Sequence, residues 1–352
     1  MMFVPISPEC LQLQSQRLQT SWAGICVAVT GASGFLGQQV AKRFKEQGAK
    51  VLAFGLTPQR CELASLALGL RVYPVSLEEL SQHPMWQQHS PELVLHCAAH
   101  CSPWASPLLF QQANVLGTQA LLDASHQAKV RRFIHISSSS VYHCWQDNIQ
   151  LTENKPMTHR FINTYAATKW QADLAVNQAG KQGMETLILR PCGILGAGER
   201  TLVPRLLQAN NTIGIPRFRS EPVWTDTTHV QNLVDAIVLA ATAPQVFHGE
   251  TFHITDGQPI VLHDFLKQLL TAKKLPYQER FLPLAFAKAL AYAGEGISAL
   301  GGYRWEPPLT SYGVCLLTYS NSLSIEAAKN ALLYTPKKTV EQLLQELIED
   351  TF

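Results

Sequence analysis

Residues 164–169 read TYAATK, which sets Tyr165 and Lys169 four positions apart. On a helix, side chains at that spacing lie on one face, a single turn from each other. A phenol beside an ammonium is useful chemistry, because the positive charge favours the phenolate. A hydroxyl with an ordinary pKa of about 10 can then exchange its proton nearer neutrality. A second pair at the same spacing, Tyr334 and Lys338, encloses Pro336, which opposes the helical turn that the geometry needs. Tyr165 and Lys169 instead stand in TYAATKWQADLAVNQAG, a stretch that can be helical throughout and is expected to end at Gly180.

The elements that must hold this pair follow a regular rhythm from Gly24 onward. ICVAVT, KVLAF, RVYPV, LVLHCAA, RFIHISSSS and ETLILRP are short apolar runs, and helical patterns lie between them: from about Phe35, near Ser65, from Gln111 to Gln127, and at TYAATK. Strands alternating with helices predict parallel βαβ units with both faces covered, an α/β, doubly wound sheet. The first strand runs into VTGASGFLG, with Gly31, Gly34 and Gly37 three apart and Ser33, Phe35 and Leu36 among them. A strand that enters a glycine-rich turn and then a helix turns backbone N–H groups toward a pyrophosphate, with glycines where side chains would obstruct it. The spacing GxxGxxG predicts a dinucleotide site. After Pro191 the rhythm loosens, which predicts a second, smaller lobe over the carboxyl edge of the sheet. The expected organisation is a tail over 1–23, a dinucleotide-binding domain over 24–190 and mainly a substrate-binding lobe over 191–352, with part of 225–256 returning to the first domain.

Composition narrows the partners. Of 352 residues, 46% are apolar and 15% charged, with a formal net charge of +2, which fits a soluble, globular chain. No basic run exceeds Arg131-Arg132 or Lys273-Lys274, so a nucleic-acid footprint is missing and a small-molecule substrate is expected. The eight cysteines form no CxxC, and Cys26 and Cys97 sit in apolar runs, which fits a reducing, cytoplasmic setting. His96, His100 and His135 lie on or beside strands without an HxH or HExxH pattern, so they read as core or pocket-wall histidines and no metal is expected. The glutamine-rich start lacks the features of a signal peptide and reads as a tail or capping segment. FLPLAFAKALAYAGEGISAL is interrupted by Pro283, Lys288 and Glu295 and falls short of the roughly 20 apolar residues of a membrane span. It predicts a buried helix, with a membrane-surface or substrate-channel helix as the alternative.

TGASGFLG, HCAA, the asparagine of ANVLGT, ISSSSVY, YAATK and LRPCGILG, in this order, resemble the extended short-chain dehydrogenase/reductase superfamily. That group includes the NAD-dependent epimerase/dehydratases and the 3β-hydroxysteroid dehydrogenases, and the resemblance runs from about Gly24 to the C-terminus. It implies a Rossmann fold with a smaller C-terminal substrate-binding lobe, and a serine, tyrosine and lysine acting together. Counting back four from Tyr142 gives Ser138, which would hydrogen-bond the substrate oxygen. Tyr165 would pass the proton, while Lys169 would lower the phenol's pKa and hold the nicotinamide ribose. Asn114 resembles the asparagine that braces the lysine, with an amide bonded to its own turn as the alternative. Ala98, Ala99, Pro191 and Gly193 fall at the family's cofactor positions, and His100 and Trp104 on the loop that would line the substrate pocket.

Two departures refine these expectations. Gly55 or Leu56 replaces the acid that NAD-selective members carry after the second strand, no carboxylate follows until Glu62, and Thr57 and Arg60 could receive a 2′-phosphate. NADP is therefore favoured slightly over NAD. In TDTTHVQN, Thr225 stands where nucleotide-sugar enzymes commonly place a phosphate-holding arginine, and Asn232 matches the steroid-dehydrogenase branch. Ser139 and Ser140 replace the acidic pair of dehydratases. The expected activity is oxidoreduction of a secondary alcohol or ketone on a hydrophobic, steroid-like or long-chain molecule. A nucleotide-sugar epimerase and a non-catalytic dinucleotide sensor are the alternatives, and a homodimer is compatible with the resemblance.

Overall fold

The computed structural model describes residues 7–102, 104–157, 160–212 and 214–350. Its centre is a seven-stranded parallel sheet built from β1 (Cys26–Thr30), β2 (Lys50–Gly55), β3 (Val72–Pro74), β4 (Leu93–His96), β5 (Arg132–Ile136), β6 (Thr186–Pro191) and β7 (His248–Ile254). The spatial order is β7-β6-β5-β4-β1-β2-β3, so the chain winds outward from β1 in one direction and then, after crossing back, in the other. This reversal opens a crevice at the carboxyl ends of β1 and β4, where such sheets hold ligands.

Helices cover both faces. One layer consists of α1 (Pro8–Leu18), α2 (Phe35–Glu46) and α3 (Pro58–Leu68), and the other of α4, a continuous rod over 107–127, and α5 (Thr164–Lys181). Residues of β1 show why no face reaches water: Val27 and Val29 pack toward α2, while Cys26 and Ala28 pack toward α4. Near-continuous apolar runs are what a doubly covered strand requires. The chain then leaves for the lobe and returns as α6 (Val230–Thr242), buried beside α2, and as β7 on the sheet edge. Arg132 fixes that return, since its guanidinium donates to the carbonyls of Ala240, Ala241, Ala243 and Gln245 at the end of α6 and pairs with Glu185. Gly180 does not end α5, which continues to Lys181. A Cβ at Gly180 would come within 2.3 Å of the His248 backbone, so this glycine serves the close approach of β7. Within the first 23 residues, α1 packs on α6, with Leu18 and Trp22 buried; residues 1–6 lie outside the described residues.

The lobe contains a four-stranded sheet of Ile260–Val261, Trp224–Thr225, Asn321–Leu323 and Asn148–Leu151, the last drawn from the first half of the chain. It also contains α7 (Leu284–Leu300). The expectation that α7 is buried is not met: Ala287, Ala291 and Ser298 are covered, but Phe286, Leu290, Ile297 and Leu300 are exposed. The apolar count of a segment says nothing about how much of its circumference a neighbour covers, and here the lobe covers one narrow stripe. No helix among the described residues is long and apolar enough to cross a membrane.

Candidate active site

Beside β1, the phosphate loop is built so tightly that glycine is required. Gly31 has φ +70°, and a Cβ there would meet the Ala98 nitrogen at 2.7 Å; at Gly37 it would meet the Gly31 carbonyl oxygen at 2.1 Å. Gly34 caps α2 without any side chain, so the N–H groups of Phe35, Leu36 and Gly37 open the helix toward the crevice. Ser33 touches the end of β2, where a Cβ on Gly55 would lie 2.6 Å from both the Ser33 hydroxyl and the Cys61 sulfur. Arg60 is exposed on the first turn of α3 and has no ion-pair partner among the described residues. Ala98 and Ala99 follow β4 in the crevice floor, and the Ala98 N–H donates to Thr30 Oγ1 at 3.3 Å. Pro191 ends β6 and Gly193 follows it, with Cys192 N–H held by Thr228 Oγ1. This cradle, with its open helix terminus and absent side chains, fits a dinucleotide.

Tyr165 and Lys169 occupy the first two turns of α5, whose start is capped by the Asn163 side chain accepting from Ala166 N at 2.8 Å. Ser138 ends the β5 loop, and its Oγ accepts from Ser140 N at 3.1 Å while sharing a side-chain hydrogen bond with Tyr165. Burial raises the Tyr165 pKa above its ordinary 10, against the pull of the Ser138 bond. The expected lowering by Lys169 is not met: the opposing pull comes from Ser138, and the phenol is held in its proton-bearing form. Burial also lowers Lys169 to about 8, with Asp173 acting in the opposite direction. Lys169 Nζ donates to the Ile136 carbonyl at 2.7 Å.

Asn114 sits in a π-helical turn, Gln111–Leu116, within α4. Such a turn admits an extra residue and often marks a functional position. Asn114 Oδ1 accepts from His100 N at 2.7 Å, and Nδ2 donates to His100 O and Thr168 Oγ1, both at 3.2 Å. The amide therefore ties the pocket loop to α5, across elements rather than within its own turn. The His100 ring meets Phe110 edge-on at 5.1 Å, and Phe110 lies 6.1 Å from the Tyr165 ring. Trp104 Nε1 donates to Ser298 Oγ at 3.0 Å, anchoring the loop to α7. Beside them lies a half-open cavity of about 370 Å³ lined by Trp104, Phe110, Ile162, Tyr165, Tyr292 and Ala299, with Asn163, Thr164, Glu295 and Ser311 as its polar members. Its described lining holds no arginine or lysine, and His100, expected in the wall, is not part of it but packs on Phe110. Glu295 is engaged by the Ser311 hydroxyl at 2.8 Å. A wider groove along α3 and β3 is open to solvent and lies away from this chemistry.

Other candidates have separate duties. Tyr334 donates to the Thr255 carbonyl and Lys338 pairs with Glu346, so the second tyrosine-lysine match is structural. Arg217 pairs with Glu279, and Arg219 with Asp147, which leaves neither free for a substrate phosphate. Asn232 bonds Asp256 and the 337–338 backbone. Residue types alone did not single out Phe110 or Tyr292, whose places in the cavity wall depend on long-range packing. Asp173, one turn beyond Lys169, could have been found from its spacing. Among the described residues no three histidine, cysteine or acidic side chains cluster as a metal site.

Residues 27–255 match the NAD dependent epimerase/dehydratase family. The chain is 31% identical over 326 residues to the 4-hydroxy-2-methyl-3-oxo-4-farnesyl-3,4-dihydroquinoline-1-oxide ketoreductase of Stigmatella aurantiaca, covering 91% of this chain and 94% of that protein. It is 28% identical to the 3-beta-hydroxysteroid dehydrogenase of Mycolicibacterium neoaurum, covering 92% and 90%. The solved structure of the epimerase Mth375 from Methanothermobacter thermautotrophicus superposes with a TM-score of 0.75 at 18% identity, covering 97% of this chain and 95% of that one, a likeness of fold. With the glycine cradle and the Ser138, Tyr165 and Lys169 cluster in place, the match identifies the chain as a member of the NAD dependent epimerase/dehydratase family, in its 3β-hydroxysteroid dehydrogenase-like branch, and as an NAD(P)-dependent enzyme.

Proposed function

We propose that the protein interconverts a ketone and a secondary alcohol on a hydrophobic, steroid-like or long-chain molecule. The cavity beside Tyr165 carries this reading: aromatic and aliphatic side chains supply more than half of its wall and no cation lines it, and burial of an apolar substrate there contributes about 25 cal/mol per Å². Bound NADP or NAD supplies or accepts the hydride. Ser138, whose Oγ already accepts from Ser140 N, retains its own proton to donate to the substrate oxygen. Tyr165, held as a neutral phenol, delivers the proton that turns the developing alkoxide into an alcohol. Lys169 presents an ammonium to the ribose, and Asn114 keeps the pocket loop and α5 in register. Residues 24–190 mainly hold the cofactor and 191–352 mainly the substrate, with part of 225–256 returning to the first domain. Gly55 and the exposed Arg60 support NADP over NAD.

The epimerase reading needs cations for a diphosphate, and Arg217 and Arg219 are spent on Glu279 and Asp147. Exposed Leu116 and Leu174 on the adjoining α4 and α5 support a homodimer through that face. The exposed Phe286, Leu290, Ile297 and Leu300 of α7 support contact with a membrane surface, from which an apolar substrate could enter a cavity walled by the same helix. Free thiols at all eight cysteines support a cytoplasmic location. Screening steroid alcohols, β-keto acyl compounds and UDP- or dTDP-sugars with both cofactors tests the substrate class. Turnover of the apolar carbonyls is expected; turnover confined to nucleotide sugars refutes the reading.

A further inference from the structure

Lys169 is 2% exposed, so its ammonium depends on protein partners. The Ile136 carbonyl accepts one of its protons at 2.7 Å, and His135 Nε2 lies 3.3 Å away on the other side of the same strand end. His135 is fully buried on β5. We propose that His135 is a positioning residue for this reaction: a neutral imidazole whose Nε2 accepts a hydrogen bond from Lys169 and aims its ammonium at the cofactor ribose. The inference rests on the roles proposed above for Tyr165 and Lys169.

The surroundings decide between an acceptor and a proton relay. On its own helix Lys169 faces Asp173, with Tyr165 one turn before it. The end of β4 brings His96 and Cys97, the following loop brings Cys101, and β6 brings Arg190 near His135. Asp173 is bound by Arg190 at 2.9 Å, and its other oxygen stays 3.6 Å from His135 Nε2, too far for a good hydrogen bond. A relay would need an exit at His135 Nδ1, yet that atom is buried with no hydrogen-bond partner among the described residues. The neighbouring His96 ring, 5.0 Å away, has both nitrogens engaged by Thr30 and Thr118. A proton reaching Nε2 therefore has nowhere to go, while a lone pair there has Lys169 to accept from. Burial and the adjacent cations keep the imidazole uncharged, which the acceptor role requires.

Three substitutions test this. In His135→Gln the amide reaches the place of Nε2, in His135→Asn it falls short, and His135→Leu removes the acceptor. With an apolar ketone that the wild type reduces, the alkaline fall of kcat/KM should move down by about one pH unit in the Asn and Leu variants, the scale of one hydrogen bond to a charge. The Gln variant should stay within a few tenths of a unit of wild type. Titration of Lys169 Nζ in lysine labelled with nitrogen-15, without cofactor, should show the same displacement downward from about 8. If a folded Asn or Leu variant titrates as wild type, or if Gln shifts as far as Leu, the inference fails; should Leu not fold, Asn against Gln decides. Tyr165→Phe is assayed alongside, and full activity there would overturn the proposed chemistry rather than the role of His135.

Discussion

Tyr165→Phe removes a single oxygen from a half-buried side chain at the cavity wall, which makes its consequences separable. The ring keeps its packing at 6.1 Å from Phe110, and Ser138 keeps the Ser140 N–H, so the structural loss is about one neutral hydrogen bond, ~1 kcal/mol. In a chain this long that lowers the melting temperature by roughly 2 °C. The chemical loss is far larger. Without a donor the developing alkoxide has no proton to take, and general acid catalysis of this kind contributes about 10²–10⁴ in rate, or roughly 3–5 kcal/mol of barrier. Lys169 retains its bonds to Ile136 and His135, so the dissociation constant for NADPH should stay within about threefold of wild type. Single-turnover consumption of NADPH, followed by its absorbance with saturating ketone, isolates the chemical step from release. kcat and kcat/KM should fall together. A wild-type rate with a verified substrate would refute the proton assignment, and so would loss of cofactor binding with no change in the rate of the bound fraction.

Titration with both cofactors should show NADPH binding at least as tightly as NADH, with Arg60→Ala narrowing the difference; a strong NADH preference in the wild type would overturn the reading of the β2 terminus. Gly37→Ala pushes a methyl against the Gly31 carbonyl, and an overpacking strain of about 1–3 kcal/mol should weaken cofactor binding tenfold or more, as fluorescence titration can measure. Asp226 is buried and raised from 3.8 to about 7, so the folded protein holds a proton that the unfolded chain has lost, and stability falls as pH rises through that window. Urea denaturation at its two ends should show Asp226→Asn gaining on the wild type at the upper end; identical pH dependence in the two proteins would contradict the assignment.

The sheet, the phosphate loop and the Tyr165–Lys169 helix were readable because each depends on short-range features: apolar runs, glycine spacing and a period of one helical turn. Asn114 was readable as a residue but not as a clamp, since its partners His100 and Thr168 come from a loop and another helix. Trp104 was placed near the pocket by sequence, yet its anchor Ser298 lies 194 positions away, a pairing that no local pattern encodes. The same limit explains α7, which is apolar enough for a core but meets the lobe along one stripe. The pairing of Arg217 with Glu279 and of Arg219 with Asp147 is likewise invisible in a sequence, which does not show which acids fold beside a given arginine.

The order of the seven strands in space has a consequence for biosynthesis. When a ribosome has delivered β6, the central sheet still lacks its last strand and the helix α6 that seals one face, and both arrive only after the chain has made an excursion into the lobe. Until β7 docks, β6 is an open edge with unpaired backbone groups, and the Arg132 side chain has no α6 terminus to grip. The nascent protein thus carries an adhesive margin for the time needed to translate about sixty further residues, several seconds at ordinary elongation rates. A chain truncated after Pro191 would make that transient permanent and is expected to aggregate, so a cofactor-binding fragment for biophysical work should extend through Ile254.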